Sequence, residues 1–345
     1  MRPPRSLTRR SFLSCAAAGL AAPFVARGAG EATVLGQGEF RYRVVPGWGQ
    51  LGPDTPVENC HGLVCDREGH LILLTDHVAN NVIVYDAAGR LVHKWGTAFP
   101  GAHGLSLVVE NGREVLYFTD TKRHCVFKAT PSGELLAEWG WPTSTGKYAK
   151  EDDYRPSWTL HLPDGGFFVL DGYGRDYIAH YGADGKFLRL FGGAEGGIVH
   201  WGPHGGMIDA RPGAEPTLLI AMSDQQSLLR IGVDGTKLGQ TELRGGNPRQ
   251  IRRHGAHYFV AHLGDNWPKD RDSRGFVSIL DQNLRVVANL AGTAPEYGDD
   301  GRLRPMQHRG EIFLHPHDLT VGHDGSLYIA QFASRQTYPV KLERL

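Results

Sequence analysis

The sequence predicts an all-β fold, a six-bladed β-propeller closed by an N-terminal strand. Three observations predict it: a repeated strand-rich unit, turn residues at fixed places within that unit, and a last copy that lacks its final strand. The repeat is plainest in LILLTDHVANNVIVYDAAGRLVHKWG (71–96), VLYFTDTKRHCVFKATPSGELLAEWG (115–140) and FFVLDGYGRDYIAHYGADGKFLRLFG (167–192). Each has an apolar run ending in Asp, a turn, a second strand, a Gly-containing turn, and a last strand that ends in an aromatic residue and Gly. Weaker copies follow at 217–243 and 257–291, and the sixth is DGSLYIAQFASRQTYPVKLERL (324–345). Short strands with Gly and Asp turns about every ten residues build four-stranded units, and a fixed period makes those units an array.

The elements follow in chain order. Residues 1–30 carry paired arginines in TRRSFL (8–13), the apolar run SCAAAGLAAPFVA (14–26) and small residues at Gly28 and Ala29. This pattern is expected to be a twin-arginine export signal, giving a periplasmic or secreted protein with the propeller at 31–345. Removing the five arginines of this leader (2, 5, 9, 10, 27) from 37 basic residues leaves 32, against 37 acidic ones. No Lys/Arg-rich run remains, so nucleic acid is not an expected partner. No second apolar run reaches bilayer length, so no stable membrane span is expected after processing. The mature chain is expected to be a soluble monomer acting on a small-molecule or peptide-like substrate. Three cysteines remain, Cys60, Cys65 and Cys125. The first two lie roughly 16 Å apart if extended, beyond disulfide reach, so no disulfide scaffold is implied.

EFRYRVVPGWG (39–49) has the form of the last strands RLVHKWG and KFLRLFG. Pairing it with the sixth copy closes the ring and removes a sheet edge. The recurring Asp76, Asp120, Asp171 and Asp224 are expected to close the same turn in each blade by accepting backbone N–H groups. The long loops 141–154, 193–203 and 293–314 are expected to rim one mouth. Trp141, Tyr148, Trp201, Tyr297 and Arg302 are their candidate substrate walls.

The innermost strands start with CHGLVCD (60–66), AHGLSLV (102–108), PHGGMID (203–209) and HPHDLTV (315–321). Blade by blade, the channel position holds His61, His103, Ser157 or Trp158, His204, Arg249 or Gln250, and His317. His103, His204 and His317 fall on blades 2, 4 and 6, which are related by about 120° in a six-fold ring. Three neutral imidazoles with an open position make the pattern of a catalytic zinc site. His61, on blade 1, stands outside the alternation and is expected to support the site or face substrate. His77, His93, His161 and His254 do not share the register and are expected at the surface.

The units resemble NHL repeats, and the chain resembles the peptidyl-α-hydroxyglycine α-amidating lyase family. AHGLSLV, VLDGYG (169–174), PHGGM and HPHDLTV carry the likeness, and 259–280 is similar to that family's irregular fifth blade. The resemblance implies a channel zinc on His103, His204 and His317, and Tyr173 as the catalytic tyrosine. It also implies a structural calcium held by Asp318 and the carbonyls of Leu63 and Leu105, hard oxygens suiting that ion. The family's arginine has no counterpart in LLTDHVA (73–79), where Leu74 or Thr75 stands. Arg249 or Arg175 is the expected substitute. The chemistry implied is elimination at a hydroxylated carbon. The metal would lower the pKa of the substrate hydroxyl, and Tyr173, its own pKa depressed by the cation, would take the proton. The alternatives are a calcium-type hydrolase or lactonase, whose sites need Glu, Asp and Asn at the channel mouth, and a non-catalytic extracytoplasmic binding module.

Overall fold

The computed structural model describes residues 33–196, 202–211, 213–264, 269–270, 272–332 and 337–345. The leader (1–30), Trp201 and part of the expected irregular segment of blade 5 lie outside the described residues. No described helix is long and apolar enough to cross a membrane.

Six antiparallel sheets form the blades of a β-propeller. Blade 1 runs Cys60–Cys65, Leu71–Thr75, Val82–Tyr85 and Leu91–Trp95. Blade 2 begins with Ala102–Glu110, blade 3 with Trp158–His161, blade 4 with Pro203–Asp209 and blade 5 with Pro248–His254; each has four strands in chain order. Blade 6 contains Pro316–Val321, Leu327–Gln331 and Val340–Arg344, completed by Tyr42–Val45. The closing strand pairs Tyr42 with Arg344 and Val45 with Lys341, as the unfinished last repeat requires. Val34–Leu35 adds a fifth strand outside it, which the repeat does not foretell.

The second and third strands of blade 1 are apolar on both faces, because each blade packs between two others. LILLT and VIVY of blade 1 are buried throughout, whereas the outermost LVHKW alternates toward solvent. Apolar clusters lie between blades; one joins Ile72 and Leu74 of blade 1 to Leu116 and Phe118 of blade 2. The innermost strands contact their neighbours around the ring, the last against the first. Asp120 and Asp171 act as expected: Asp120 accepts the N–H groups of Gly101, Lys122 and Arg123, and Asp171 those of Arg155 and Arg175. The three cysteines are free.

Candidate metal centre

A register shift occurs near the start of five innermost strands. It falls between Cys60 and Gly62, Ala102 and Leu105, Pro203 and Gly205, Pro248 and Gln250, and Pro316 and Asp318. The residues inside these shifts include His61, His103, His204, Arg249 and His317. A bulge re-aims the extra side chain, and here it delivers one polar group from each of these five blades to one end of the channel. The glycine after three of the histidines has a separate cause. A Cβ at Gly62 would come within 2.4 Å of Leu105 Cβ, one at Gly104 within 2.3 Å of the Ser157 carbonyl, and one at Gly205 within 2.4 Å of the Arg249 carbonyl. His-Gly therefore means a bulge against a close neighbouring strand.

Four imidazoles meet. The ring centroids of His103, His204 and His317 form a near-equilateral triangle with sides of 4.9, 4.7 and 4.8 Å. His61 lies 4.6 Å from His103 and 4.8 Å from His317, so it stands within the cluster and not apart from it. Ring nitrogens of His61, His103 and His317 are within 4.8 Å of one another. Each member of the alternating trio donates its Nδ1–H to a carbonyl of the next blade: His103 to Ser157 (2.8 Å), His204 to Arg249 (2.9 Å) and His317 to His61 (2.7 Å). A carbonyl can only accept, which fixes the tautomer and leaves every Nε2 as a lone pair.

Those lone pairs lack protons. The Tyr173 hydroxyl lies 3.1 Å from His103 Nε2 and 2.8 Å from His204 Nε2 and has one proton for two acceptors. His317 Nε2 faces His61 Nδ1 at 3.5 Å, and the other nitrogen of His61 lies 3.7 Å from Asp76. Burial, ahead of the neighbouring charges, holds His103, His204 and His317 well below the usual imidazole range, so they do not supply the missing protons. A buried set of neutral nitrogens with more acceptors than protons fits zinc or a similar divalent transition metal.

Tyr173 reaches the cluster from the turn after blade 3's second strand. Asp171, 1% exposed and pushed up to about 7 by burial against its backbone N–H donors, anchors that turn. A Cβ at Gly172 would meet the Pro203 carbonyl at 2.2 Å, so only glycine fits between Asp171 and Tyr173. Tyr173 is 43% exposed as a whole, but its hydroxyl is the enclosed end. Burial pushes the phenol above its ordinary range and Arg249 draws it back, so the expected depression is left to a bound cation. Arg249 is buried, and its Nε has no hydrogen-bond partner among the described residues. Burial also lowers the pKa of its guanidinium. Arg175, the other candidate substitute, instead pairs with Asp153 at 3.0 Å on an exposed edge.

His61, His103, His317 and Tyr173 sit in the wall of a cavity of about 600 Å³, with Arg249, Asp76, Lys122, His124 and Arg155 also lining it; His204 lies behind the Tyr173 hydroxyl. Asp76 accepts two bonds from Asn59 as a turn residue should, but its carboxylate also turns to His61. Burial would raise its pKa; His61 and Asn59 overcome this and hold it near 2. Its sequence signal was the shared register with the other strand-end aspartates, which gave no hint of the second role. The expected loop walls are placed elsewhere. Tyr148 is buried against Tyr154 and Tyr177, with Trp141 packed beside it. Tyr297 stacks under Arg285, and Arg302 pairs with Glu242. His161 is no surface residue either; it packs between Tyr117 and Phe167.

The residues expected to hold calcium are placed together. Asp318 and the carbonyls of Leu63 and Leu105 converge on the guanidinium of Arg252.

No family model matches the chain, and no curated protein matches it. Among solved structures it is similar to a streptogramin B lyase, at 16% identity over 84% of this chain and 94% of that one, with a TM-score of 0.55. It is also similar to virginiamycin B lyase from Staphylococcus aureus, at 13% identity over 91% and 100% of the two chains (TM-score 0.54). A gluconolactonase from Xanthomonas campestris gives 12% identity over 88% and 89% (TM-score 0.58). The likeness is one of fold. The resemblance to the amidating lyase family rests on the motifs alone.

Proposed function

We propose that this protein is an exported, metal-dependent lyase acting at a hydroxylated carbon of the carbinolamide type, on a small-molecule or peptide-like substrate. The observation that carries the proposal is the ring of buried imidazoles, each fixed through Nδ1 to the next blade, converging beside the Tyr173 hydroxyl in the cavity wall. His103, His204 and His317 would hold the metal, with His61 beside them and tied to Asp76. A divalent transition metal, when bound, supplies a Lewis acid that lowers the pKa of a hydroxyl group it meets.

The chain's own residues do the rest. Tyr173, as the phenolate that a bound cation would favour, would take the proton of the substrate hydroxyl. The carbon–oxygen double bond forms as the carbon–nitrogen bond breaks, its electron pair leaving with nitrogen. The Tyr173 phenol then returns the proton to that nitrogen, so the residue ends as it began. Arg249 lines the cavity with its Nε unpartnered among the described residues, and would orient an oxygen-rich part of the substrate.

The test is the elemental content of the purified mature protein. About one transition metal per chain is expected, lost from a His103→Ala, His204→Ala, His317→Ala variant that keeps its β circular dichroism. Release of glyoxylate from α-hydroxyglycine derivatives is then the activity to assay. Absence of metal, or retention in the triple variant, overturns the proposal and leaves a binding module.

A further inference from the structure

Two further side chains, Trp158 and Arg252, lie next to the histidine ring. Trp158, fully buried, lies 6.2 Å from His103 and 6.5 Å from both His204 and His317, centroid to centroid. Arg252, from the innermost strand of blade 5, lies 5.7 Å from the Trp158 ring. Its Nε donates to Asp318 Oδ1 at 3.0 Å and its Nη2 to Asp318 Oδ2 at 2.6 Å. The same Nη2 faces the carbonyls of Leu105 at 3.2 Å and Leu63 at 3.4 Å. Asp318 is 0% exposed, and its oxygens also accept the N–H groups of Leu63 (2.8 Å) and Leu319 (2.7 Å).

A carboxylate from blade 6 and carbonyl oxygens from blades 1 and 2 are donors of the kind that bind a hard divalent cation. Here they surround a guanidinium. One carboxylate against one guanidinium is a neutral pair, and the planar fork meets both carboxylate oxygens while a further N–H reaches the carbonyls. With the guanidinium seated among these oxygens, a divalent ion has no space in the same place. We propose that Arg252 is a tethered cation. It joins blades 1, 2, 5 and 6 at the axis and makes the fold independent of calcium. Asp318 follows His317 directly, so the same contact fixes the strand that presents His317.

The test uses the full mature chain and calcium chloride as the probe. Wild type is expected to contain no stoichiometric calcium and to show no shift in Tm when millimolar calcium is added. Arg252→Ala leaves a carboxylate and two carbonyls around a vacated site. Its Tm is expected to fall by about 5 °C or more, as for a buried pair that loses one partner. Millimolar calcium should restore most of that loss in a saturable manner, while potassium chloride at matched ionic strength should not. A variant whose loss calcium does not restore overturns the proposal, as does wild type that carries one calcium per chain. If Arg252→Ala is insoluble, its refolding from denaturant with and without calcium decides. Calcium-dependent recovery supports the tethered cation, and equal failure in both overturns it.

Discussion

Replacing Tyr173 by Phe removes one oxygen atom at the point where two lone pairs compete for one proton. The hydroxyl lies 2.8 Å from His204 Nε2 and 3.1 Å from His103 Nε2, yet it can donate to only one of them. The folded state therefore loses about one hydrogen bond, worth roughly 0.5–1.5 kcal/mol net, from a side chain that is 43% exposed. In a domain of this size that lowers Tm by no more than about 3 °C. A general base contributes a factor of about 10²–10⁴ to turnover, or roughly 2.7–5.5 kcal/mol of barrier. The two magnitudes separate the roles. Tyr173→Phe is expected to keep its metal and its melting temperature and to lose at least a hundredfold in glyoxylate release. Turnover within threefold of wild type would refute the general-base role. Loss of metal along with the hydroxyl would make Tyr173 a ligand.

The individual histidines are expected to differ. His204→Ala should lose the metal and His61→Ala should retain it, by elemental mass spectrometry; the opposite pattern would place the ion on the His61 side of the cluster. His262, fully buried and stacked on Phe276, is held near 3 by burial. The folded chain takes no proton there until about pH 3, whereas the unfolded chain does so below about 6.5. Its contribution is therefore complete above about pH 6.5 and is lost as pH falls, at about 1.4 kcal/mol per pH unit. Between pH 6.5 and 5, His262→Gln should lose about 2 kcal/mol less stability than wild type in denaturant titrations; parallel curves would exclude this. Tyr42 in the closing strand is 2% exposed. Tyr42→Ala should cost about 3–5 kcal/mol and lower the denaturation midpoint accordingly; an unchanged midpoint would mean that the closing strand does not hold the ring.

What the sequence determined by itself was the architecture and the position of one polar residue per blade. The repeat fixes both because every blade solves the same burial problem: apolar inner strands between two neighbours, Asp and Gly at the same turns, and a missing strand that only 39–49 can supply. The HG, DGY and HPHD segments marked the channel histidines and Tyr173, since a bulge pressed against a neighbouring strand restricts which residues fit. Tertiary structure alone decided how the blades face one another. It brought His61 into the cluster, since blades 1, 2 and 6 meet at the axis although no sequence spacing expresses that. It gave Asp76 a second role through its distance to His61, and it moved the expected walls Tyr148, Tyr297 and Arg302 away from the cavity. It also set Arg252 against Asp318. Arg252 lies 66 positions from its carboxylate and 189 and 147 from the two carbonyls. A side chain reaching across the axis to three other blades leaves no periodic trace, because the contact is made by the closure of the ring.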